Sequence, residues 1–553
     1  MNDKNATKEG VESDVDDRVI PTQYLIPFIL VTTLFALWGF ANNFTDPMVK
    51  VFKDVFAISN AQSAVVQMAF YGGYATMAIP AALFIRRFTY KSGILVGLAL
   101  FATGALLSIP AANNVNFWLF ILGIYILTFG LAFLETTANP FILSMGSEKT
   151  STQRLNLVQA FNPIGSLAGA FIAANFVMTG VYVADFKADV QGFKSELSAA
   201  AEEESELNVL PFLKAKAKTP KKDPAVKEWL DKYRTDAKAF QESVGPIFQN
   251  ENAAQFLPQL GSSVLDPENV KNDNWFVDAA MGDLNDRALV DFREGKIESY
   301  QDMKFEELQR HDLGLVSQTY MTLGFVVLGA FLIFLIKAIP ESKSDEDSGK
   351  DLDLGPTVGR LFSNPRYVFG VIAQMFYVGA QIMVWTFIIQ YAEKELGMDN
   401  ATAANHQIMA LVIFLAFRFI CTYFLKFVSP GKLLAVLAFG GMLTTLGAIH
   451  ITGMPGLYSL IAISACMSLM FPTIYGIALE GIGEDAKLGS AGLILAIVGA
   501  VWLTGFQGLI LDFDSFMGTT ATRGSFYLSF GCFVIIALYG FCCRNPKPTN
   551  VIA

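Results

Sequence analysis

The chain has 553 residues, 53% of them hydrophobic, with a mean hydropathy of +0.42 and a formal net charge of −10. These values exclude a soluble globular protein and give no basic surface on which to expect nucleic acid. Apolar windows of about 20 residues, the length a ~30 Å hydrocarbon core demands of a helix, recur along the whole sequence and place it in a lipid bilayer.

Twelve spans are expected, beginning near residues 22, 60, 92, 116, 153, 312, 366, 402, 430, 456, 486 and 524. The predicted class is an all-α membrane protein. Its expected organisation is a tail over 1–21, spans 1 to 5 over 22–182, an insert over 183–311, span 6 over 312–338, a linker over 339–365, spans 7 to 12 over 366–543 and a tail over 544–553. The first 21 residues lack the basic region, apolar core and small-residue cleavage site of a signal peptide, so span 1 serves as its own insertion signal. Arg86, Arg87 and Lys91, then Lys149 and Arg154, Lys426 and Lys432, and Arg544 and Lys547 all fall in loops on one side. That bias makes this side, with both termini, cytoplasmic. Lys50, Lys53 and Lys394 are a modest counter-signal on the other.

Span 1 ends in Trp38-Gly-Phe-Ala-Asn-Asn-Phe-Thr-Asp, which puts Asn42, Asn43 and Asp46 within about one helical turn. A carboxylate at the centre of a membrane helix costs on the order of 3 kcal/mol, so each one within a span is a functional hypothesis. Asp46 reads either as that or as a solvated helix end before Pro47. Glu135 lies well inside span 4, with Asn139 one turn on, and reads as functional or as the partner of a neighbouring helix. A protonatable carboxylate facing a cavity can trade a proton between the two sides. In span 5, Gln159 and Asn162 share a face, and their amides donate and accept as sugar hydroxyls require. The insert carries more acidic than basic residues, together with Trp229 and Trp275, and is expected to be a small, mostly helical extracytoplasmic domain. A periplasmic or outer-membrane partner for it is an open reading, as is a tolerated loop.

Beyond the linker, span 7 places Gln374, Tyr377, Gln381 and Trp385 at 3-4-4 spacing, a polar aromatic stripe. Each glutamine there reads equally as a ligand contact or as an interhelical hydrogen bond. Gln67, Tyr71, Tyr74, Asn405 and Gln507 are weaker candidates, and Arg418 is expected to neutralise a carboxylate or to cap backbone carbonyls. The five cysteines imply neither a disulfide framework nor a metal site, and no cofactor is expected. The two six-helix halves look alike: each has a proline deep in its fourth span, at Ala138-Asn-Pro-Phe and Met470-Phe-Pro-Thr.

Several blocks together resemble one family. Ala41-Asn-Asn-Phe-Thr-Asp, Gln67-Met-Ala-Phe-Tyr-Gly-Gly-Tyr, Leu134-Glu-Thr-Thr-Ala-Asn-Pro-Phe, Arg154-Leu-Asn-Leu-Val-Gln-Ala-Phe-Asn, Gln374-Met-Phe-Tyr-Val-Gly-Ala-Gln and Phe471-Pro-Thr-Ile-Tyr are similar to stretches of the fucose permease group of sugar:proton symporters, in the major facilitator superfamily. The resemblance implies twelve transmembrane helices in two pseudo-symmetric halves, and import of a monosaccharide with a proton across the inner membrane. It implies that Asp46 and Glu135 form the protonatable pair, with sugar contacts from Asn43, Glu135, Gln159 and Asn162. Trp38, Gln374, Tyr377, Gln381 and Trp385 complete the expected binding set. Fucose permeases carry Gln-Tyr where this chain has Met470-Phe471, and glucose and galactose carriers look more like the Met-Phe version. The lean is therefore toward a hexose such as glucose or galactose, with fucose, an N-acetylhexosamine, and an uncoupled or sodium-coupled sugar carrier as alternatives. No metal-spaced or nucleophile–base constellation supports an enzyme.

Overall fold

A computed structural model describes residues 18–58, 60–187, 189–190, 289–290, 292–295, 297, 299–337, 354–398, 400–511, 513 and 515–545. Within them, 12 helical stretches are long and apolar enough to cross a membrane. Span 1 is Leu25–Val55, span 2 Asn60–Arg87, and span 3 Tyr90–Leu106 with a short continuation over Ser108–Asn113. Span 4 is Phe117–Ser144, and span 5 is broken into Ser151–Gln159 and Asn162–Ile172. Span 6 is Phe305–Ile336 and opens the sequence to span 7, Pro365–Leu396, span 8, Asn400–Phe424, and span 9, Pro430–His450. Span 10 is split into Met454–Met467 and Met470–Leu479, span 11 into Ala486–Leu495 and Gly499–Leu511, and span 12 is Tyr527–Cys542.

Local chemistry sets where these helices start and stop. Thr89, Asn116 and Asn364 each accept a backbone N–H of the first turn that follows, and Pro365 and Pro430 supply first-turn residues with φ already fixed. Gly397 closes span 7 in the left-handed region at φ 64°. The ring of exposed Trp118, Phe171, Phe325, Phe439, Trp502 and Leu538 would be untenable in water and suits acyl chains.

Backbone contact through small residues draws the helices of each half together. A Cβ on Gly165 would come within 1.8 Å of the Ala36 carbonyl oxygen, and one on Gly169 within 2.4 Å of that of Phe40. Spans 1 and 5 therefore touch along their main chains, and this brings the Trp38–Asn43 turn against Asn162. Spans 3 and 4 meet in the same way at Gly104 and Gly130.

The two halves meet at the end of the bundle where span 1 starts and span 12 finishes. There the beginning of span 5 packs on the end of span 10, and spans 2 and 4 on the beginning of span 11. Asn156 donates to Thr473 Oγ1 at 3.2 Å across this contact, and the ammonium of Lys487 lies 4.9 Å from the ring centre of Tyr90.

Three regions differ from expectation or lie beyond description. Span 6 starts at Phe305, two turns earlier than hydropathy suggests, because its first turns carry Glu306, Glu307, Arg310 and Asp312. The second part of the linker is a helix, Leu354–Ser363, held by a two-pronged Arg360–Asp485 ion pair at 2.7 and 2.8 Å. The helical domain expected over 183–311 falls mostly outside the described residues.

The stubs of that insert are nonetheless well anchored. Asp312 accepts the N–H groups of Tyr182 and Val183 at 3.0 Å each, Gln309 donates to the Val55 carbonyl at 2.6 Å, and Lys187 pairs with Asp54 at 2.6 Å. Phe186 stacks on Phe292 and meets Tyr300 edge-on, while the Tyr300 hydroxyl donates to Asp189. Burial and the adjoining Asp189 carboxylate hold the Tyr300 hydroxyl above its ordinary pKa.

Candidate functional site

A cavity of about 180 Å³ lies between the halves, above the contact just described. It is smaller than the ~300–1,000 Å³ of sites for drug-sized ligands, so it suits a small solute. The first half contributes Trp38, Asn42 and Asn43 from span 1, Tyr71 and Tyr74 from span 2, Glu135 from span 4, and Gln159 and Asn162 from span 5. The second half contributes Tyr377, Gln381 and Trp385 from span 7, Phe414 and Arg418 from span 8, and Phe471 from span 10.

The polar groups are held in place by their neighbours. Trp38 Nε1 donates to the Tyr74 hydroxyl at 2.9 Å, Gln159 Nε2 to Asn139 Oδ1 at 3.0 Å, and Asn162 Nδ2 to the Phe35 carbonyl at 3.3 Å. Across the cavity, Tyr377 donates to the Met467 carbonyl and Trp385 Nε1 to Ser464 Oγ, both at 3.3 Å. Glu135 is buried, and its Oε2 makes no hydrogen bond among the described residues; the same holds for Asn42 Oδ1. Buried oxygens of this kind on a cavity wall are acceptors held ready for a ligand or a proton.

Aromatic faces form the remaining walls. Phe35 stacks on Trp38 at 5.2 Å, Trp385 meets Phe414 edge-on at 4.9 Å, and Tyr377 lies 6.1 Å from Phe471. Flat apolar platforms beside convergent amides match a solute whose edges are hydroxyls and whose faces are C–H.

Of the residues expected from sequence, Trp38, Asn43, Glu135, Gln159, Asn162, Tyr377, Gln381 and Trp385 line the cavity together. Gln374 does not. It is fully buried one turn below Tyr377, where neither amide atom finds a partner among the described residues. Asp46 lies in span 1, but its side chain falls outside those described. Sequence reasoning missed Phe35 and Phe414 as wall residues, whereas Phe471, singled out with Met470, does line the cavity. The signal for Phe414 was its place four residues before Arg418, on the same helical face.

Arg154 is a structural residue. It is buried and donates to the carbonyls of Ile142 and Leu143 at 2.8 Å each, and to that of Val19 at 3.1 Å, which closes the end of span 4. Arg418 also turns to carbonyls, those of Ser468 and Gln159.

The family model described as Major Facilitator Superfamily matches residues 29–185. Over 524 residues the chain is 40% identical to an L-fucose-proton symporter of Haemophilus influenzae, covering 95% of this chain and 98% of the relative. The chain belongs to the fucose permease-like family of the major facilitator superfamily. A glucose/galactose transporter of Brucella abortus is 25% identical over 92% of both chains. The solved fucose:proton symporter of E. coli superimposes with a TM-score of 0.67 at 26% identity, covering 95% of this chain and all of that one. A structure of that symporter in the outward conformation matches equally well. This family member accordingly has the major facilitator fold, twelve spans in two six-helix halves with the cavity at their seam.

Proposed function

We propose that the chain imports a monosaccharide together with a proton across the inner membrane, with both termini in the cytoplasm. The observation that carries this reading is the cavity itself: one buried carboxylate, Glu135, shares a small chamber with five amides and two tryptophans contributed by both halves. A proton enters from outside onto Asp46, and the sugar lies against Trp38 and Trp385 with its hydroxyls on Asn43, Gln159, Asn162 and Gln381. The halves then rock about the cavity to release both inside. Each inward proton gains about 2.3 kcal/mol per 100 mV of membrane potential, which supports uphill uptake.

Fucose, a 6-deoxyhexose, is the substrate favoured here over glucose or galactose. The 40% identity to an L-fucose carrier supports that order. Met470 is buried away from the wall, so its difference from the fucose permease pattern carries little weight, and Phe471 presents an apolar ring that suits the C–H face of either kind of sugar. The insert stands on the periplasmic side in this reading, where a partner could reach it.

The test is proton movement in proteoliposomes on addition of fucose, galactose, glucose or N-acetylglucosamine. External alkalinisation with fucose supports the reading. Sugar entry without a pH change would leave a facilitator or a sodium-coupled carrier, and a response to glucose alone would reverse the order of substrates.

A further inference from the structure

The prolines that break spans 5 and 10 leave a matched pair of carbonyls without helical partners. In an unbroken helix the Gln159 carbonyl would accept the N–H of residue 163, and the Ser468 carbonyl that of residue 472; both positions are proline and have no N–H to give. One carbonyl belongs to the first half and the other to the second. A single side chain satisfies both: Arg418 of span 8 donates Nη1 to Gln159 O at 2.8 Å and Nε to Ser468 O at 2.5 Å. Its guanidinium also packs against the Phe414 ring at 4.6 Å and is almost completely buried.

The geometry points to Arg418 as a positioning residue that latches the two halves. It fixes the backbone of Gln159, and so the amide that side chain offers to sugar, only while the halves are closed at the end where they meet. This rests on the alternating-access reading above and deepens it. When the halves part at that end, the bond to Gln159 must break, whereas the bond to Ser468 stays within the second half and can persist. Gln159 then loses its brace, and its hold on the sugar slackens on the side of release. Around this bond, Gln153 Nε2 reaches the Thr422 carbonyl at 3.4 Å and Asn156 the Thr473 hydroxyl, so the latch sits within a seam of weaker bonds. Lysine could not replace arginine here, because a single ammonium lacks the fork that spans two fixed carbonyls.

The latch can be read without any sugar. Thr152 is buried against Gly476 of the other half, whose Cβ would lie 2.7 Å from Thr152 Oγ1. Thr152→Cys, in a chain with the five native cysteines changed to serine, therefore reports opening at this end by its rate of maleimide labelling. Arg418→Gln should raise that rate about tenfold or more, the worth of one charged hydrogen bond. Arg418→Lys should fall between the two.

Pro163→Ala, which returns an N–H to the Gln159 carbonyl, should raise the rate with Arg418 in place, and it carries the test if the arginine variants do not elute as monodisperse protein. Fucose titrated against tryptophan fluorescence should show weaker binding in each. Unchanged labelling in both Arg418→Gln and Pro163→Ala would overturn the latch, and weaker fucose binding with unchanged labelling would make Arg418 a direct ligand instead. Failure of the proteoliposome test would remove the sugar assignment while leaving the labelling result intact.

Discussion

The indole N–H of Trp38 and the hydroxyl of Tyr74 share a 2.9 Å hydrogen bond that ties span 1 to span 2 on the cavity wall. The bond sets the plane of an indole that is itself stacked on Phe35. Tyr74→Phe keeps the ring but leaves the indole N–H buried without an acceptor, a loss of about 1–3 kcal/mol. Sugar affinity should fall by roughly ten- to a hundredfold, with a shifted tryptophan emission maximum. Unchanged affinity and emission would show that Trp38 is positioned by packing alone.

Glu135→Gln preserves shape and removes the exchangeable charge. It should abolish concentrative uptake and flatten its pH dependence, while exchange of labelled for unlabelled sugar across the membrane persists. Concentrative uptake that survives the change would leave coupling to Asp46 alone, with Asp46→Asn the next variant to measure.

Gln374→Leu is expected to do the opposite of what a binding residue would. Its amide is buried with both polar atoms unpartnered among the described residues, so an apolar replacement should stabilise by about 1–3 kcal/mol. A raised thermal midpoint with unchanged KM for uptake is the expected result. A large rise in KM would return Gln374 to the binding set.

Gly165→Ala should prevent the close approach of spans 1 and 5, since its Cβ would collide with the Ala36 carbonyl. The purified yield and thermal midpoint should drop sharply. Gly314→Ala in span 6 is the control: nothing lies within 4 Å of its Cβ, and alanine is worth about 1 kcal/mol more than glycine in a helix. Equal behaviour of the two variants would contradict the backbone contact.

The spans were legible because a membrane enforces one long apolar run per crossing, and the buried polar residues were legible because each is costly there. Depth was not. The 3-4-4 stripe of span 7 identifies a face, yet only its upper members reach the cavity, and nothing in the spacing distinguishes Gln374 from Gln381. The walls at Phe35 and Phe414 were hidden for a different reason: among 48 phenylalanines, those facing the cavity and those facing lipid look alike. The early start of span 6 was masked by charges that hydropathy counts against a helix, although Asp312 spends its charge on two backbone N–H groups. The role of Arg418 required knowing that span 8 passes both broken helices.

Both stubs of the 183–311 segment are riveted to the same half of the molecule, through Lys187 to Asp54, Gln309 to Val55, and Asp312 to Tyr182 and Val183. Both stubs therefore move as one with that half, and any displacement of it relative to the other half carries them along. A load applied at those stubs would act on one half of the seam and leave the other free.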